Sequence, residues 1–382
     1  MKKLAFPILF LICMVLPVHA THNRAGEITL TQIDELTYRI NITTFTYTLS
    51  KADRDDLEVS WGDNTFSYAP RVELVKLPHF YQRNTYITQH TFPGPGIYEI
   101  VVQDPNRNDG VKNIPNSVNV IFSIKTTIMI NGELGPNSTP VLLNPPIDRA
   151  AYGQVFIHNP AAYDPDGDSL SYKLTICTEL DGRPIEGYTL PPASDTLFIN
   201  PFTGDLTWIT PSDTGIFNIA FDVEEWRDGV KIGNIVRDMQ IEVFNTDNHA
   251  PVQTEPGSFC IEAGSVLSLD IEAWDEDDDS IYQWATGGPF TVEEGPATFT
   301  VDEDAATYGY SRAQFLWQTN PTHVREQYYT VVFKAEDNHF ETPLVDIQNM
   351  NIKVLGPSPD MPVLIPGSNS VTVTWPADTC LP

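Results

Sequence analysis

Cysteine, basic residues and long apolar runs are all scarce in this 382-residue chain. It has four cysteines, and 22 lysines and arginines stand against 51 aspartates and glutamates, a net charge of −29. So little cysteine excludes a disulfide scaffold, and folding must rest on apolar cores. The negative field repels DNA, RNA and anionic lipid, which excludes nucleic acid as a partner. With 41% hydrophobic and 11% aromatic residues, the chain is not a disordered acidic tail.

The one long apolar run stands at the N-terminus. Two lysines precede an apolar stretch that ends at Pro17, and Val18 and Ala20 have the spacing of a cleavage site. This pattern predicts a secretory signal peptide over residues 1–20. A membrane anchor is the alternative, but the stretch is shorter than the ~20 residues that a spanning helix needs. We expect a secreted protein, extracellular or on the outer cell surface, with no transmembrane helix.

Removing the leader takes two lysines away and leaves 20 basic and 51 acidic residues, a net charge of −31. Such a surface is well solvated and attracts divalent cations. Catalytic signatures are missing: there is no Gly-x-Ser-x-Gly elbow, Cys-x-x-Cys pair, phosphate loop or His-Glu-x-x-His helix. Carboxylate pairs are so frequent that none singles out a glycosidase site. We therefore expect that the protein is not an enzyme.

An internal repeat with a spacing of 111 organises the centre of the chain. Residues 137–141 recur at 248–252, residues 164–170 at 275–281, and residues 237–243 at 348–354. Between these matched segments the spacing changes by one or two residues and then returns to 111. Such short insertions and deletions are tolerated in loops but not in strands. Residues 136–246 (repeat 1) and 247–356 (repeat 2) are therefore predicted to be two copies of one module.

The strands within these units show period-two alternation, as at Phe217, Ile219 and Phe221. The first module, residues 21–135, has the same pattern. Modules of about 110 residues with many short strands are typical of a two-sheet sandwich. We therefore predict an all-β fold of tandem Ig-like β-sandwich modules in a row. Residues 357–382 contain one further strand, which cannot bury its own apolar face, so they are predicted to be the incomplete start of another domain.

Short motifs in each unit resemble known modules. In the first module, Trp61-Gly62-Asp63-Asn64 together with the His-Thr-Phe-Pro-Gly segment from His90 resembles the PKD domain, an Ig-like sandwich. The two repeats are similar to the cadherin-like, Ig-like modules of bacterial surface proteins. This resemblance rests on the Asp-Pro-Asp-Gly-Asp turn of residues 164–168 and the Thr-Gly-Asp-Leu-Thr-Trp segment of residues 203–208. Residues 370–375 resemble the opening strand of a fibronectin type III domain.

The order of these modules resembles a group of long secreted proteins of Bacteroidetes. Such proteins begin with a His-x-x-x-Gly-Glu-Ile stretch, here residues 22–28. They often end in a gliding-motility-associated sorting domain used by type IX secretion. The resemblance implies a surface protein linked to adhesion or gliding motility.

Two aspartate clusters are the candidate metal sites. The candidate ligands are Asp164, Asp166 and Asp168 in repeat 1 and Asp275, Asp277 and Asp279 in repeat 2. Calcium takes six to eight oxygens, and alternate carboxylates on a turn can supply several. Asp247 and Asn248 of the linker, with Glu224 or Glu336, could complete the shell. The alternative is a solvated turn in which aspartate bonds its own backbone. Calcium is the only cofactor that the sequence suggests.

Three tryptophans and the cysteines have simpler interpretations. Trp61, Trp208 and Trp317 could form a sugar-stacking platform, but their alternating strands predict core packing. His90 is predicted to cap a turn, because no second histidine stands at metal-ligand spacing. The mature cysteines, Cys177, Cys260 and Cys380, fall one per unit. Pairing within a unit is therefore excluded, and Cys380 is expected to pair beyond the chain's end.

Two classes of function remain. The first is a structural and adhesive surface protein whose modules project a binding or sorting region towards an unidentified polysaccharide or protein. The second is a secreted hydrolase whose catalytic domain lies beyond residue 382, with these modules as accessory units. A third hypothesis makes the repeats themselves a glycan-binding array. The downstream gene sequence separates the first two, and a glycan array tests the third.

Overall fold

The computed structural model describes residues 23–50, 53–105, 107–356, 363–366 and 370–374. Across these residues the fold is all β, as predicted, with tandem Ig-like β-sandwich units. The helical pieces within these described ranges are 3-10 turns at Ser117–Asn119, Leu180–Gly182, Gly288–Phe290 and Pro321–His323. Within the same part of the chain, no helix has the length and apolarity to span a bilayer. The predicted signal peptide and Cys380 lie outside the described residues.

The first module contains seven antiparallel strands around one core. They are β1 (Asn23–Asp34), β2 (Thr37–Tyr47), β3 (Asp56–Ser60), β4 (Phe66–Lys76), β5 (Tyr81–Thr91), β6 (Gly96–Asp104) and β7 (Phe122–Ile130). Their order in the sheet is β1-β2-β5-β4-β3-β6-β7. Tyr38, Ile40 and Ile42 all face the core and are buried, because successive side chains of a strand point to opposite faces.

Repeat 1 contains two long strands among many short ones. Its strands are β8 (Val141–Leu142), β9 (Arg149–Ala151), β10 (Phe156–His158), β11 (Ala162–Tyr163), β12 (Ser169–Thr175), β13 (Thr178–Glu179), β14 (Arg183–Pro184), β15 (Leu197–Ile199), β16 (Leu206–Trp208), β17 (Gly215–Arg227) and β18 (Val230–Phe244). Strands β17 and β18 form a long hairpin with a register shift at Glu225/Trp226. The small sheet β10-β16-β15 contributes Trp208 to the core on the other side.

Strand β18 joins the first module to repeat 1. One of its edges pairs with β17, and the other pairs in turn with β7, β1 and β9. The register places Asn234 opposite Thr127 and Met239 opposite Ala25. Backbone hydrogen bonds therefore cross the boundary predicted near residue 135. The boundaries near 135, 246 and 356 remain predictions for limited proteolysis.

Repeat 2 is a sandwich of two four-stranded sheets. Its strands are β19 (Val252–Gln253), β20 (Ser258–Glu262), β21 (Val266–Trp274), β22 (Ile281–Gly287), β23 (Thr298–Val301), β24 (Tyr310–Gln318), β25 (Tyr329–Asp337) and β26 (Val345–Leu355). The sheets are β19-β21-β24-β23 and β20-β26-β25-β22, and all pairs are antiparallel except β20 with β26. Phe315, Trp317 and Phe333 fill the core between them.

Two strands, rather than the single one predicted, follow residue 356. Strand β27 (Val363–Pro366) pairs in antiparallel fashion with β28 (Val371–Thr374). Trp375, which carried part of the fibronectin type III resemblance, lies outside the described residues.

Repeat 2 packs against both preceding units. His79 Nε2 of the first module lies 2.9 Å from Glu336 Oε1. The Asn349 amide donates to Asp205 of repeat 1 at 2.6 and 2.7 Å, and the rings of Tyr163 and Tyr329 stack at 6.2 Å. The third unit in sequence is thus in contact with the first as well as with the second.

The tryptophans are core residues, as predicted. Trp61, Trp208 and Trp317 are fully buried. Each indole N–H finds an acceptor inside the protein: Ser67 Oγ, the Pro192 carbonyl and the Gly295 carbonyl, respectively. None of the three can stack on a sugar. His90 stacks on Trp61 at 4.3 Å and lies 2.8 Å from Asp63 Oδ2, which confirms its predicted role at the turn.

Replacing Asp278 by glycine is expected to stabilise repeat 2. Asp278 has φ +60°, and its counterpart Gly167 has φ +90°, so both occupy the left-handed region. In that region a residue with a Cβ destabilises the folded state by about 1 kcal/mol, and glycine removes this strain. Part of the gain is lost, because glycine also has a larger conformational entropy in the unfolded state. We expect Asp278→Gly to raise the melting temperature by a few degrees. Asp278→Asn removes the charge and keeps the strain, so an equal rise in that variant would show that charge, not backbone conformation, is the cause.

Candidate cation site

The aspartate turn of repeat 1 bonds its own backbone with one oxygen and leaves the other without a partner. Asp164 Oδ1 accepts the backbone N–H of Asp166 at 3.0 Å and of Asp168 at 2.8 Å. Asp166 Oδ2 accepts the N–H of Ser138 at 2.6 Å, which fastens the linker to the turn. Asp164 Oδ2 is buried and has no hydrogen-bond partner among the described residues. The solvated-turn alternative therefore accounts for only half of the Asp164 carboxylate.

Glu225 completes a cluster of three carboxylates with Asp164 and Asp168, which we call the Glu225 site. The ligand oxygens of the three residues lie within 4.8 Å of one another, and all three side chains are buried. Glu225 is 0% exposed, and neither of its oxygens has a hydrogen-bond partner in the described part of the chain. The Asn137 side chain lies near Glu225, but its amide nitrogen is not in hydrogen-bond geometry with the carboxylate. Unpartnered buried carboxylates are costly, so a missing partner is expected here.

The backbone of β17 and β18 makes room for Glu225. Glu225 lies on the face of β17 that Phe221 and Val223 share, directly opposite Gly233 of β18. A Cβ at position 233 would stand 2.8 Å from Glu225 Oε2 and 3.0 Å from the Thr127 carbonyl oxygen. Gly233 is therefore required if the carboxylate is to lie across the strand.

Burial and mutual repulsion disfavour ionisation of these carboxyls. Burial, with Asp168 and Asp166 nearby, raises the pKa of Asp164 to about 7. Burial, with Asp164 and Asp168 nearby, raises the pKa of Glu225 to about 9. At neutral pH the Asp164 and Glu225 carboxyls are therefore expected either to be protonated or to have a cation beside them.

Arg227 supplies part of the positive charge. Its guanidinium donates to Asp168 Oδ1 at 2.8 Å and to Oδ2 at 2.6 Å, a bidentate pair. The same group donates to the carbonyls of Leu134 and Pro136 and to Asn137 Oδ1. Arg227 thus ties the turn to the linker that precedes repeat 1 and pairs with Asp168. Asp164 and Glu225 form no ion pair within the part of the chain that the structure describes.

The residues fit calcium on two counts. Calcium–oxygen distances of about 2.3–2.6 Å place opposite ligands roughly 4.6–5.2 Å apart, which accommodates oxygens within 4.8 Å of one another. The unpartnered oxygens, Asp164 Oδ2 and both oxygens of Glu225, are the hard donors that calcium prefers. If calcium binds, Asp164, Asp168 and Glu225 would hold it.

Repeat 2 has the same turn but a more nearly satisfied site. Asp275 Oδ1 accepts the N–H of Asp277 at 2.9 Å and of Asp279 at 3.1 Å, and Asp277 Oδ2 accepts the N–H of His249. The sheet register makes Asp337 the counterpart of Glu225, since Ile281 faces Asp337 as Leu170 faces Glu225.

Unlike Glu225, Asp337 is fully bonded. It accepts from the Asn248 amide and from the backbone N–H groups of His339 and Leu344. Among the described residues, Asp275 Oδ2 and the Asn248 amide oxygen are the buried oxygens of this cluster that lack a partner. The repeat 2 turn therefore offers a cation fewer open oxygens than the Glu225 site.

Sequence analysis singled out the two aspartate turns but not Glu225, which the structure adds to the cluster of Asp164 and Asp168. Of the six predicted aspartates, the structure brings Asp164 and Asp168 together in the Glu225 site, while Asp166 and Asp277 bind linker backbone. Glu224, suggested as an additional ligand, points the other way and pairs with Lys173 and Lys231. The alternation of β17 already puts residue 225 on the buried face, and that signal could have found it.

No family model matches the chain, and no curated protein matches it. Solved structures similar to it include the titin domains z1z2 in complex with telethonin, at 11% identity and TM-score 0.20, covering 58% of this chain and 98% of that one. Zebrafish RET cadherin-like domains 1 to 4 match at 9% identity and TM-score 0.21, covering 89% and 74%. Drosophila N-cadherin EC1-3 matches at 11% identity and TM-score 0.21, covering 81% and 92%. The fold described above rests on strand pairing rather than on these likenesses.

Proposed function

We propose that this chain is a non-catalytic structural and adhesive part of a secreted surface protein, stiffened by calcium at the Glu225 site. The observation that carries the proposal is the buried Glu225 carboxylate, whose oxygens lack any hydrogen-bond partner among the described residues. A buried carboxylate without a partner is costly, and a bound cation would compensate its charge without the need for protonation. Its partner on the surface is a polysaccharide or protein.

The location outside the cell has independent support. Cys260 is disulfide-bonded, and disulfides persist in oxidising compartments. The acidic composition and the predicted leader point the same way. The junction that calcium would stiffen is that between the first module and repeat 1, because Asn137 and the Arg227 contacts of the linker border the site.

Calcium is expected to raise the melting temperature of the chain from residue 21 to 382. Binding at ten times the dissociation constant would add about 1.4 kcal/mol, a shift of a few degrees for units of this size. Extracellular sites of this sort are weak, so millimolar calcium is compared with chelator, and magnesium serves as the control ion. Differential scanning calorimetry measures the shift.

Asp164→Asn tests whether the Glu225 site is responsible. Asparagine retains the Oδ1 acceptor of the turn but loses the charge, so the calcium shift should vanish while the fold is kept. Asp275→Asn is the matched change in repeat 2 and should leave the shift in place. Equal melting temperatures with and without calcium in the parent chain would overturn the calcium part of the proposal.

A further inference from the structure

A second buried polar cluster lies where repeat 2 packs on repeat 1. It consists of Asn144, Asp148 and His158 from repeat 1 and Lys334 from β25 of repeat 2, and we call it the Lys334 cluster. All four side chains belong to residues that are at most 6% exposed. Nothing in the Glu225 site uses these residues.

The Lys334 amino group lies between a carboxylate and an amide. Its Nζ contacts Asp148 Oδ1 and donates to Asn144 Oδ1 at 3.3 Å. The Trp284 ring lies over the amino group at 5.1 Å. The Asn144 amide is held on its other side, because its Nδ2 donates to the Asn159 carbonyl at 2.7 Å.

Asp148 is itself oriented by a fourth group. Its Oδ2 lies 3.1 Å from His158 Nδ1, while its Oδ1 faces Lys334. His158 Nε2 is buried and has no partner among the described residues. This arrangement leaves Asp148 with one oxygen directed at the lysine and fixed there.

Burial makes this ion pair costly, because taking a lysine and an aspartate out of water costs several kcal/mol for each ion. Lys334 and His158 outweigh that cost at Asp148 and hold its pKa at about 2, so the ion pair is the resting state and the free amine forms only transiently. The neutral amine of a buried lysine is a nucleophile. Because the fold holds it against the Asn144 amide, the reaction between the two groups is intramolecular and therefore faster than the same reaction between separate molecules. Exclusion of water also protects the product from hydrolysis.

We propose that Lys334 and Asn144 form an amide cross-link between the two repeats. Asp148 accepts one proton from the Lys334 ammonium, and the freed electron pair of Nζ attacks Cγ of Asn144. The Nζ–Cγ bond forms, Asp148 transfers its proton to Nδ2 and takes the second proton from Nζ, and the Cγ–Nδ2 bond breaks. Ammonia leaves with the last proton as ammonium. Nothing is oxidised or reduced, and no co-reactant is needed.

Lys334 attacks Asn144 rather than Asp148, because the Asp148 side chain is a negatively charged carboxylate. A carboxylate anion is a poor electrophile, whereas it is well suited to carry protons between the attacking and leaving nitrogens. Asp148 is therefore the catalytic acid–base, and His158 is a positioning residue that fixes it. An amide to Asp148 would release water instead of ammonia, so the two products differ in mass.

Intact-mass spectrometry of the denatured chain from residue 21 to 382 tests the cross-link. We expect the mass of the sequence less one ammonia for the link, after the disulfide of Cys260 has been reduced. A protease digest should contain one joined peptide with both Asn144 and Lys334. A full sequence mass, or loss of water instead of ammonia, would overturn the proposal.

Three variants identify the chemistry. Lys334→Arg keeps a cation beside Asp148 but removes the nucleophile, and Asp148→Asn keeps both reacting groups but removes the proton carrier. Both variants should show the full mass of their own sequence, with no loss of ammonia. Near-ultraviolet circular dichroism checks that they are folded. Lys173→Arg, at an exposed lysine paired with Glu224, is the control and should still lose ammonia. Loss of ammonia from Lys334→Arg would also contradict the assignment.

Discussion

Glu225→Gln is expected to unfold at a higher temperature than the parent chain in chelator at pH 8. In the folded state the pKa of Glu225 is raised to about 9, whereas it is near 4.5 when unfolded. Between these values the native state binds a proton that the unfolded state lacks, so the free energy of unfolding falls as pH rises through this window. Asp164, with its pKa raised to about 7, adds to the slope below that pH.

Glutamine removes this penalty, because it fills the same space without a charge. The polar groups near position 225 include Asp164, Asp168, Asn137, Arg227 and Tyr38, and they stay unchanged. We expect a gain on the order of a few kcal/mol at pH 8 and little gain near pH 5. Urea unfolding at both pH values measures it, and the same variant should lose the calcium response.

Glu224→Gln is the matched control, since Glu224 lies one residue away on the opposite face. It pairs with Lys173 at 2.6 Å and with Lys231 at 2.7 Å at a partly exposed site. Its replacement should leave the fall in stability between pH 5 and 8 in place. In Glu225→Gln only the smaller fall that Asp164 contributes should remain. An undiminished fall in Glu225→Gln, or a loss of the fall in Glu224→Gln, would be incompatible with a buried Glu225 carboxyl as the main cause.

Asp238→Ala is expected to destabilise the first module and repeat 1 together. Asp238 accepts a bidentate pair from Arg107, at 3.1 and 2.6 Å, and both side chains are 1% exposed. The pair links the end of the first module to β18. Removing the carboxylate leaves an arginine buried without its counter-charge, which costs about 3–5 kcal/mol.

The measurement is thermal unfolding followed by calorimetry. The expected result is a single lowered transition for residues 23–244, because one sheet runs through both units. Asp213→Ala removes an ion pair with Lys112 between the same two units, but at an exposed position, and should leave the melting temperature unchanged. A transition that splits, with only one unit destabilised, would show that the shared sheet does not couple them.

Local sequence pattern predicted what depends on neighbours along the chain. Alternation placed Phe217 and Phe221 in a core, and the 111-residue repeat placed Asp164 and Asp275 in equivalent turns, as their matching backbone contacts show. It also identified Trp208 and Trp317 as core residues.

Contacts between distant segments were not predictable in this way. Strand β18 pairs with β1 and β7 across more than a hundred residues, and a strand's pattern does not state its partner. The Lys334 cluster joins residues from two repeats, and Asp148 on its own resembles any loop aspartate. The role of Arg227 likewise depends on a distant segment, because it donates to the carbonyls of residues 134 and 136.

The parallel pairing of β20 with β26 bears on how repeat 2 carries tension. The two strands lie near opposite ends of the repeat and run side by side from Ser258 opposite Asn351 to Glu262 opposite Leu355. When the ends of the repeat are pulled apart, these strands slide lengthwise, so their hydrogen bonds are loaded together in shear rather than opened one at a time. Forced unfolding is governed by the unfolding rate, and a barrier that requires several bonds to break at once slows it. Repeat 2 would therefore hold its length when a force pulls on its two ends.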